Sequence, residues 1–278
     1  MRVRIAAGAA SALLIAGTVT GCGANSVQRA ADTVDQAGTV LAALKRSAAK
    51  ADDLGSAQVE STVSMPGAQG IEMDGTYSWG DGLAYDVEMD ADKLGMRELA
   101  SDGSVRALFV DGAYYYEVDA QPSGPLKGKH WMKIDASAVL GQGASALSES
   151  GGNPVAGLRY IGLSDDVEKV GAETILGRKT THYSGTLTKK NFGRAKELLA
   201  PEEENTLMNS FTGGGVTSVS IDIWVDGKDL PARIQQKVGK ASITLDFKSF
   251  DTAKKVTAPP AADTVDMTEE VKASAGQS

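Results

Sequence analysis

Few side chains in this 278-residue sequence are equipped for chemistry. Its two histidines, His130 and His182, belong to no His-Glu-x-x-His run and meet no paired cysteines, so no zinc centre is expected. No Gly-x-Ser-x-Gly elbow marks a nucleophile. His182 sits on the polar parity of its strand, opposite Thr181 and Tyr183, and reads as an exposed sheet histidine. Asp86, Glu88, Asp90 and Asp92 fall on alternate positions, the solvated stripe of a strand, without the spacing of an EF-hand calcium loop. Gly213, Gly214 and Gly215 lack the Lys-Ser/Thr of a phosphate-binding loop and read as a hinge. The chain therefore reads as a non-enzyme, with no catalytic residue, metal ligand or cofactor expected. One reactive group remains: the thiol of Cys22, the only cysteine.

The residues before Cys22 give that thiol a use. Arg2 and Arg4 form a short basic region, and positions 5–19 are apolar and uncharged. Such a stretch is short for a bilayer span of about 20 residues and suits the core of a signal peptide. It ends in Val19-Thr20-Gly21-Cys22, which resembles the bacterial lipobox: a branched apolar residue, a small one, Gly or Ala, then Cys. Secreted lipoproteins with that motif carry diacylglycerol on the sulfur and are cleaved just before it. A single cysteine cannot form an internal disulfide, so acylation is the use that fits. The expected organisation is a signal peptide at 1–21, a lipidated tether at 22–30, a folded domain at 31–262 and a tail at 263–278. The mature protein would be anchored to the outer face of the cytoplasmic membrane through Cys22 without crossing it.

Charge excludes other partners. Removing Arg2 and Arg4 from 28 basic residues leaves 26 against 36 acidic ones, a net of −10. Nucleic acid needs a basic footprint, so it is not an expected partner. The same balance argues against electrostatic docking on anionic lipid.

The remaining pattern concerns position rather than reactivity. In the stretch 71–89, Ile71, Met73, Tyr77 and Trp79 share one parity, with Gly75 among them, while Glu72, Asp74, Thr76 and Ser78 share the other. After a turn, Leu83, Tyr85, Val87 and Met89 repeat the arrangement. Alternate side chains of a strand point to opposite faces, so this is a hairpin with one wet and one apolar face. Before it, positions 31–53 carry a helical stripe of Val34, Leu41, Leu44, Ala48 and Ala51, with Gly55 just beyond.

Strands follow in series, separated by Asp-Gly pairs at 81, 102, 111 and 226 that favour tight turns. Asp74-Gly75 lies inside a run and marks a bulge or a bend. A short strand is also expected at 96–99. A short helix should begin at Asn153-Pro154 and carry Val155, Leu158 and Ile161. Further strands hold Ile221 and Ile223, then Leu245 and Phe247, and the chain beyond Asp251 should wrap or fray. The sum is an α+β fold of about ten antiparallel strands. Its expected form is one strongly curved sheet, a half-barrel, with helices on the concave side.

Two segments carry a resemblance. "VEKVGAETILGRKTTHYSGTL", ending at Leu187, and "SVSIDIWVDGKDLPARI", 218–234, are similar to the actinobacterial lipoproteins of the LppX/LprA/LprF/LprG group, as are the lipobox and "TAPPA" at 257–261. The resemblance covers most of 31–262 in element order and implies the LolA/LolB-like fold. It also implies an apolar cavity between sheet and helices that receives the acyl chains of a lipid or glycolipid. A membrane transporter or another envelope protein would be a further partner. On that reading the ligand-binding residues are Met73, Tyr77, Trp79, Tyr85, Val87, Met89, Leu158, Ile161, Ile221, Ile223, Leu245 and Phe247. The alternative is a sensory or scaffolding lipoprotein that grips a protein partner with the same half-barrel.

Overall fold

The computed structural model describes residues 24–67, 70–140, 153–195, 216–250 and 255–275, with isolated positions between 199 and 211. Of residues 24–37 it describes the helical backbone only. Cys22 and the signal region lie outside the described residues. The compact unit runs from Ala37 onward.

Its strands are β1 (Ser56–Ser64), β2 (Ile71–Ser78), β3 (Ala84–Asp90), β4 (Ser104–Val110), β5 (Ala113–Glu117) and β6 (Trp131–Asp135), then β7 (Glu168–Ile175), β8 (Arg178–Thr188), β9 (Ser218–Asp226), β10 (Pro231–Val238), β11 (Ala241–Phe250) and β12 (Thr264–Asp266). All twelve join one open sheet in the order β12-β6-β5-β4-β3-β2-β1-β11-β10-β9-β8-β7. Every pairing is antiparallel except β12 with β6. Neighbouring strands rotate by roughly 20–25°, so a sheet of this width cannot lie flat. Helices with bounds among the described residues are α1 (Ala24–Leu54), α2 (Ala136–Leu140), α3 (Gly157–Tyr160) and α4 (Thr268–Ala275), and the isolated positions 201, 204, 205, 207, 208 and 211 are helical too.

Local chemistry explains most of these boundaries. Gly55 takes a φ of 63° and releases α1 directly into β1. Asp111 and Gly112, with φ of 53° and 73°, turn β4 into β5. Thr188 and Asn191 cap the 3-10 segment Lys189–Arg194 reciprocally. Gly75 makes no bulge, because β2 keeps continuous register with both β1 and β3 through it; it instead lets the β3 backbone approach closely.

Two expectations are corrected. Positions 96–99 form turns, held by the Met96 amide on the Ala91 carbonyl and the Leu99 amide on the Met96 carbonyl. Too few residues separate β3 from β4 there for another paired strand. The chain beyond 251 wraps with more structure than its composition suggested. Val256 packs on Leu108, Val110, Tyr115 and Trp131, and β12 then pairs with β6, so the sheet extends past the expected boundary at 262.

One face of the sheet carries the main core. Val40, Ala43, Leu44, Ala48 and Ala51 of α1 pack with Leu158, Ile161 and Leu163 against the inner parities of β1–β4 and β8–β11. Gly185 allows the close approach, since a Cβ there would stand 3.0 Å from Ile161 and 3.1 Å from Ser164. The other face holds ion pairs. Arg106 grips Asp86 with bonds of 2.8 and 2.7 Å, Arg233 grips Asp246 at 2.6 and 2.7 Å, and Lys248 bridges Glu60 and Asp74.

Candidate functional site

The twelve residues expected to meet a ligand come from β2, β3, β9, β11, the turn after β2 and the helical segment 157–163. The fold brings all twelve into one apolar cluster on the inner face. Tyr77, Trp79, Val87, Leu158, Ile161, Ile221, Ile223 and Phe247 are buried. Met73, Tyr85, Met89 and Leu245 are partly buried and pack against that cluster. The inner face thus has two characters. Under α1 and the 157–163 segment it is closed core, whereas across β2–β5 methionines and aromatic rings remain partly uncovered.

The rings of this region form a ladder in which Tyr77 and Phe109 are buried and Tyr85, Tyr114 and Tyr116 partly uncovered. Ring centroids run from Tyr77 to Tyr85 at 5.4 Å, to Phe109 at 5.5 Å, to Tyr114 at 5.0 Å and on to Tyr116 at 6.4 Å. The pairings that produce it are Tyr77 with Tyr85, Tyr85 with Phe109, and Phe109 with Tyr114. Offset aromatic pairs of this kind are worth about 0.5–1.5 kcal/mol beyond the area they bury. Burial pushes the Tyr77 and Tyr116 phenols up to about 12, and Tyr85 well above its ordinary value. The wall therefore carries no charge at any physiological pH.

Phe109, Tyr114 and Tyr116 belong to this wall although the site expected from sequence omits them. Strand parity was the signal, since Tyr114 and Tyr116 point inward with Phe109.

Two hollows border the face. The first, about 270 Å³, lies between α1 and the 157–163 segment, lined by Leu41, Leu44, Ala48, Leu158 and Gly162, with Lys45 and the Asp52–Arg159 ion pair at its rim. The other, about 760 Å³, opens at the end of the aromatic ladder beside Leu83, Phe109, Val110 and Val256. Asp53, Asp81 and Asp111 also line it. Burying a carboxylate against hydrocarbon is costly, so of the two the smaller hollow is the one suited to apolar contents.

No group of three or more His, Cys, Asp or Glu side chains suited to a metal occurs among the described residues. The acidic stripe is engaged instead: Asp86 by Arg106, Glu88 by the Ser104 hydroxyl at 2.7 Å, and Asp90 by the amides of Asp92 and Lys93. His182 departs from expectation. Its side chain is 12% exposed, stacked 4.2 Å from the Trp224 ring. Glu173 and Asp222 each lie 2.9 Å from one of its ring nitrogens. The polar face of β7–β9 is thick enough in long side chains to cover an imidazole, which parity alone does not reveal.

No family model matches the chain. It is 32% identical over 250 residues to an uncharacterised 31.2 kDa protein of the rplA–rplJ intergenic region in Streptomyces griseus, covering 84% of this chain and 80% of that one. It is 30% identical over 230 residues to SCO4650 of Streptomyces coelicolor, a protein named as a proposed lipoprotein, covering 77% and 70%. The chain belongs to this actinobacterial lipoprotein family. The fold of this lipoprotein is that of LppX from Mycobacterium tuberculosis (TM-score 0.51, 15% identity, 79% of this chain and 99% of that one). LprF from Mycobacterium bovis shares it (TM-score 0.51, 11% identity, 81% and 98%).

Proposed function

We propose that this lipoprotein is a non-enzymatic carrier that receives acyl chains of a lipid or glycolipid on its inner face while Cys22 tethers it to the outer face of the cytoplasmic membrane. The observation that carries the reading is the uncharged wall of Met73, Tyr85, Met89, Tyr114 and Tyr116, partly uncovered beside a closed core. Methionine and aromatic rings accept varied apolar guests, because the thioether is flexible and polarizable and the rings offer broad faces. Shielding an acyl chain there is worth about 0.8 kcal/mol for each CH₂ removed from water. The apolar hollow against α1 continues the same chemistry, and release would require α1 and the 157–163 segment to part.

The test is native mass spectrometry of the protein released from native membranes, with thermal unfolding of the same samples. Met73→Trp should lose lipid at a nearly unchanged melting temperature, because its site is only partly filled. Val87→Trp should destabilise instead, since overpacking a buried site costs about 1–3 kcal/mol. If no lipid accompanies the wild type and a protein does, the scaffolding reading replaces the carrier. A Cys22→Ser chain should stay uncleaved or escape to the medium; processed, membrane-bound material would refute the tether.

A further inference from the structure

The inner face does not end where the helices stop covering it. Val63 of β1 pairs with Ile243 of β11, and Ile243 pairs on its other side with Gln236 of β10. Met65 lies two residues beyond Val63, and Val238 two beyond Gln236, both on the inner parity that buries Val59 and Ile234 deeper in the sheet. At this end of the strands the apolar row emerges into solvent: Met65 is 49% exposed, Ile243 45% and Val238 37%. The three adjoin, since Ile243 stands diagonal to both of the others. Isolated exposed apolar residues need no explanation, but a contiguous set running out of an apolar trough marks an interaction surface.

Cations flank it on the β8–β11 side. Lys237 and Lys240 flank Val238 in the β10–β11 hairpin, and Lys189 follows the end of β8 at the same edge, where Thr188 pairs with Ser218 and Lys237 with Ser220. All three are exposed and have no carboxylate partner among the described residues. Glu72, a nearby acid, is paired with Lys93 at 3.7 Å. The net charge of −10 left after signal removal argued against anionic lipid, yet surface charges act over only about 8 Å at physiological salt.

Within the folded unit, α1 runs between this edge and the opposite one. α1 ends at the opposite edge, where the Trp79 indole bonds the Ala51 carbonyl and the Lys50 ammonium bonds the Lys228 carbonyl in the β9–β10 turn. Its earlier part comes from the apolar edge: Leu41 packs beside Gly162, and Ser164 bonds the Thr186 carbonyl near the end of β8. Fifteen residues join Cys22 to Ala37, at most about 50 Å of chain.

We propose that Met65, Val238 and Ile243, flanked by Lys189, Lys237 and Lys240, form a docking surface for the anionic face of a lipid bilayer. Seating there turns the open end of the apolar trough toward the membrane, so that an acyl chain passes between them without crossing water. Docking relies on the Cys22 tether and is independent of whether cargo is present.

The test uses the full-length lipidated chain, its own thiol taken up by the anchor, in vesicles of phosphatidylcholine with or without phosphatidylglycerol. Met65→Cys carries an environment-sensitive fluorophore. Leu176→Cys, an equally exposed apolar position in the β7–β8 turn at the far edge, is the control. On anionic vesicles the label at 65 should shift to the blue and lose quenching by aqueous iodide several-fold, while that at 176 stays aqueous. Combining Lys189→Glu, Lys237→Glu and Lys240→Glu, with thermal unfolding recorded to confirm the fold, should abolish the difference. Equal aqueous signals at both positions, or a shift at 65 indifferent to the lysines and to lipid charge, would overturn the proposal. Cargo on the same preparation is read by native mass spectrometry, so the carrier reading and the docking surface fail separately.

Discussion

The indole Nε1 of Trp79 donates to the main-chain carbonyl of Ala51 at 3.2 Å, tying the end of β2 to the last turn of α1. The same carbonyl accepts the Gly55 amide at 3.1 Å, and the Gly55 carbonyl accepts the Trp79 amide at 2.8 Å. Three bonds thus lock the corner at which the helix crosses onto the sheet. Trp79 also packs edge-on against Phe250, with ring centroids 6.4 Å apart.

Trp79→Phe should therefore cost little and Trp79→Ala much. Phenylalanine keeps most of the packing and loses one bond, about 0.5–1.5 kcal/mol, since Ala51 keeps its other donor. Alanine opens a cavity, at about 3–5 kcal/mol. Urea unfolding of both variants checks the split, and equal losses would mean that the bond outweighs the ring.

Gly75→Ala should be among the most damaging single-methyl changes in the sheet. A Cβ at that position would collide with the Asp86 carbonyl oxygen and lie 2.7 Å from Val87 Cα, both backbone atoms of the neighbouring strand. Backbone cannot step aside as a flexible side chain can, so a loss of at least about 1–3 kcal/mol is expected. A wild-type melting temperature in this variant would show that the close approach of the two backbones is not required.

Ser47 invites a stabilising change. Its hydroxyl is fully buried on α1 and finds no partner among the described residues. An unsatisfied buried hydroxyl costs about 1–3 kcal/mol, and alanine is the better helix former. Ser47→Ala should raise the denaturation midpoint. A clear loss of stability would reveal a partner for the hydroxyl in the folded protein.

Acid should loosen the β6–β12 edge. Asp266 is held down to about 2 by hydrogen bonds from Thr268 and Lys133. Its folded value lies below its unfolded one, so its stabilisation is complete above about pH 4 and fades as pH falls toward 2. The carboxylate is half exposed, so the effect is small and weakens with salt. Asp266→Asn should flatten the dependence of the melting temperature on pH between 4 and 2 and leave a change above pH 5 that does not vary with pH. An unaltered acid limb would exclude this carboxylate as a contributor.

Parity and turn chemistry are local, which is why so much of the sheet is legible in the residues. The alternation at 71–89, the Asp-Gly turns and Gly55 after α1 each depend on a few neighbours, and each stands as expected, whereas Asn153-Pro154 makes a turn and the helix it was expected to open starts at Gly157. The inward parity of Tyr114 and Tyr116 was readable in the same way. Strand count was less so: β12 is three residues long and exists because β6 offers an unpaired edge, which no periodicity in Thr264–Asp266 announces.

The sequence by itself determined which residues share the apolar face, because a strand's side-chain period is fixed at two and a helix's at 3.6. It also set how few histidines and cysteines the chain carries. Only the tertiary structure decided where that face is closed and where it stays open. Whether Val87 is covered while Met73 and Tyr116 are not depends on where α1 and residues 157–163 come to rest. The environment of His182, between Glu173, Asp222 and Trp224, and the exposed row of Met65, Ile243 and Val238 were decided at the same level. Packing joins residues more than a hundred positions apart, and no local period records such distances.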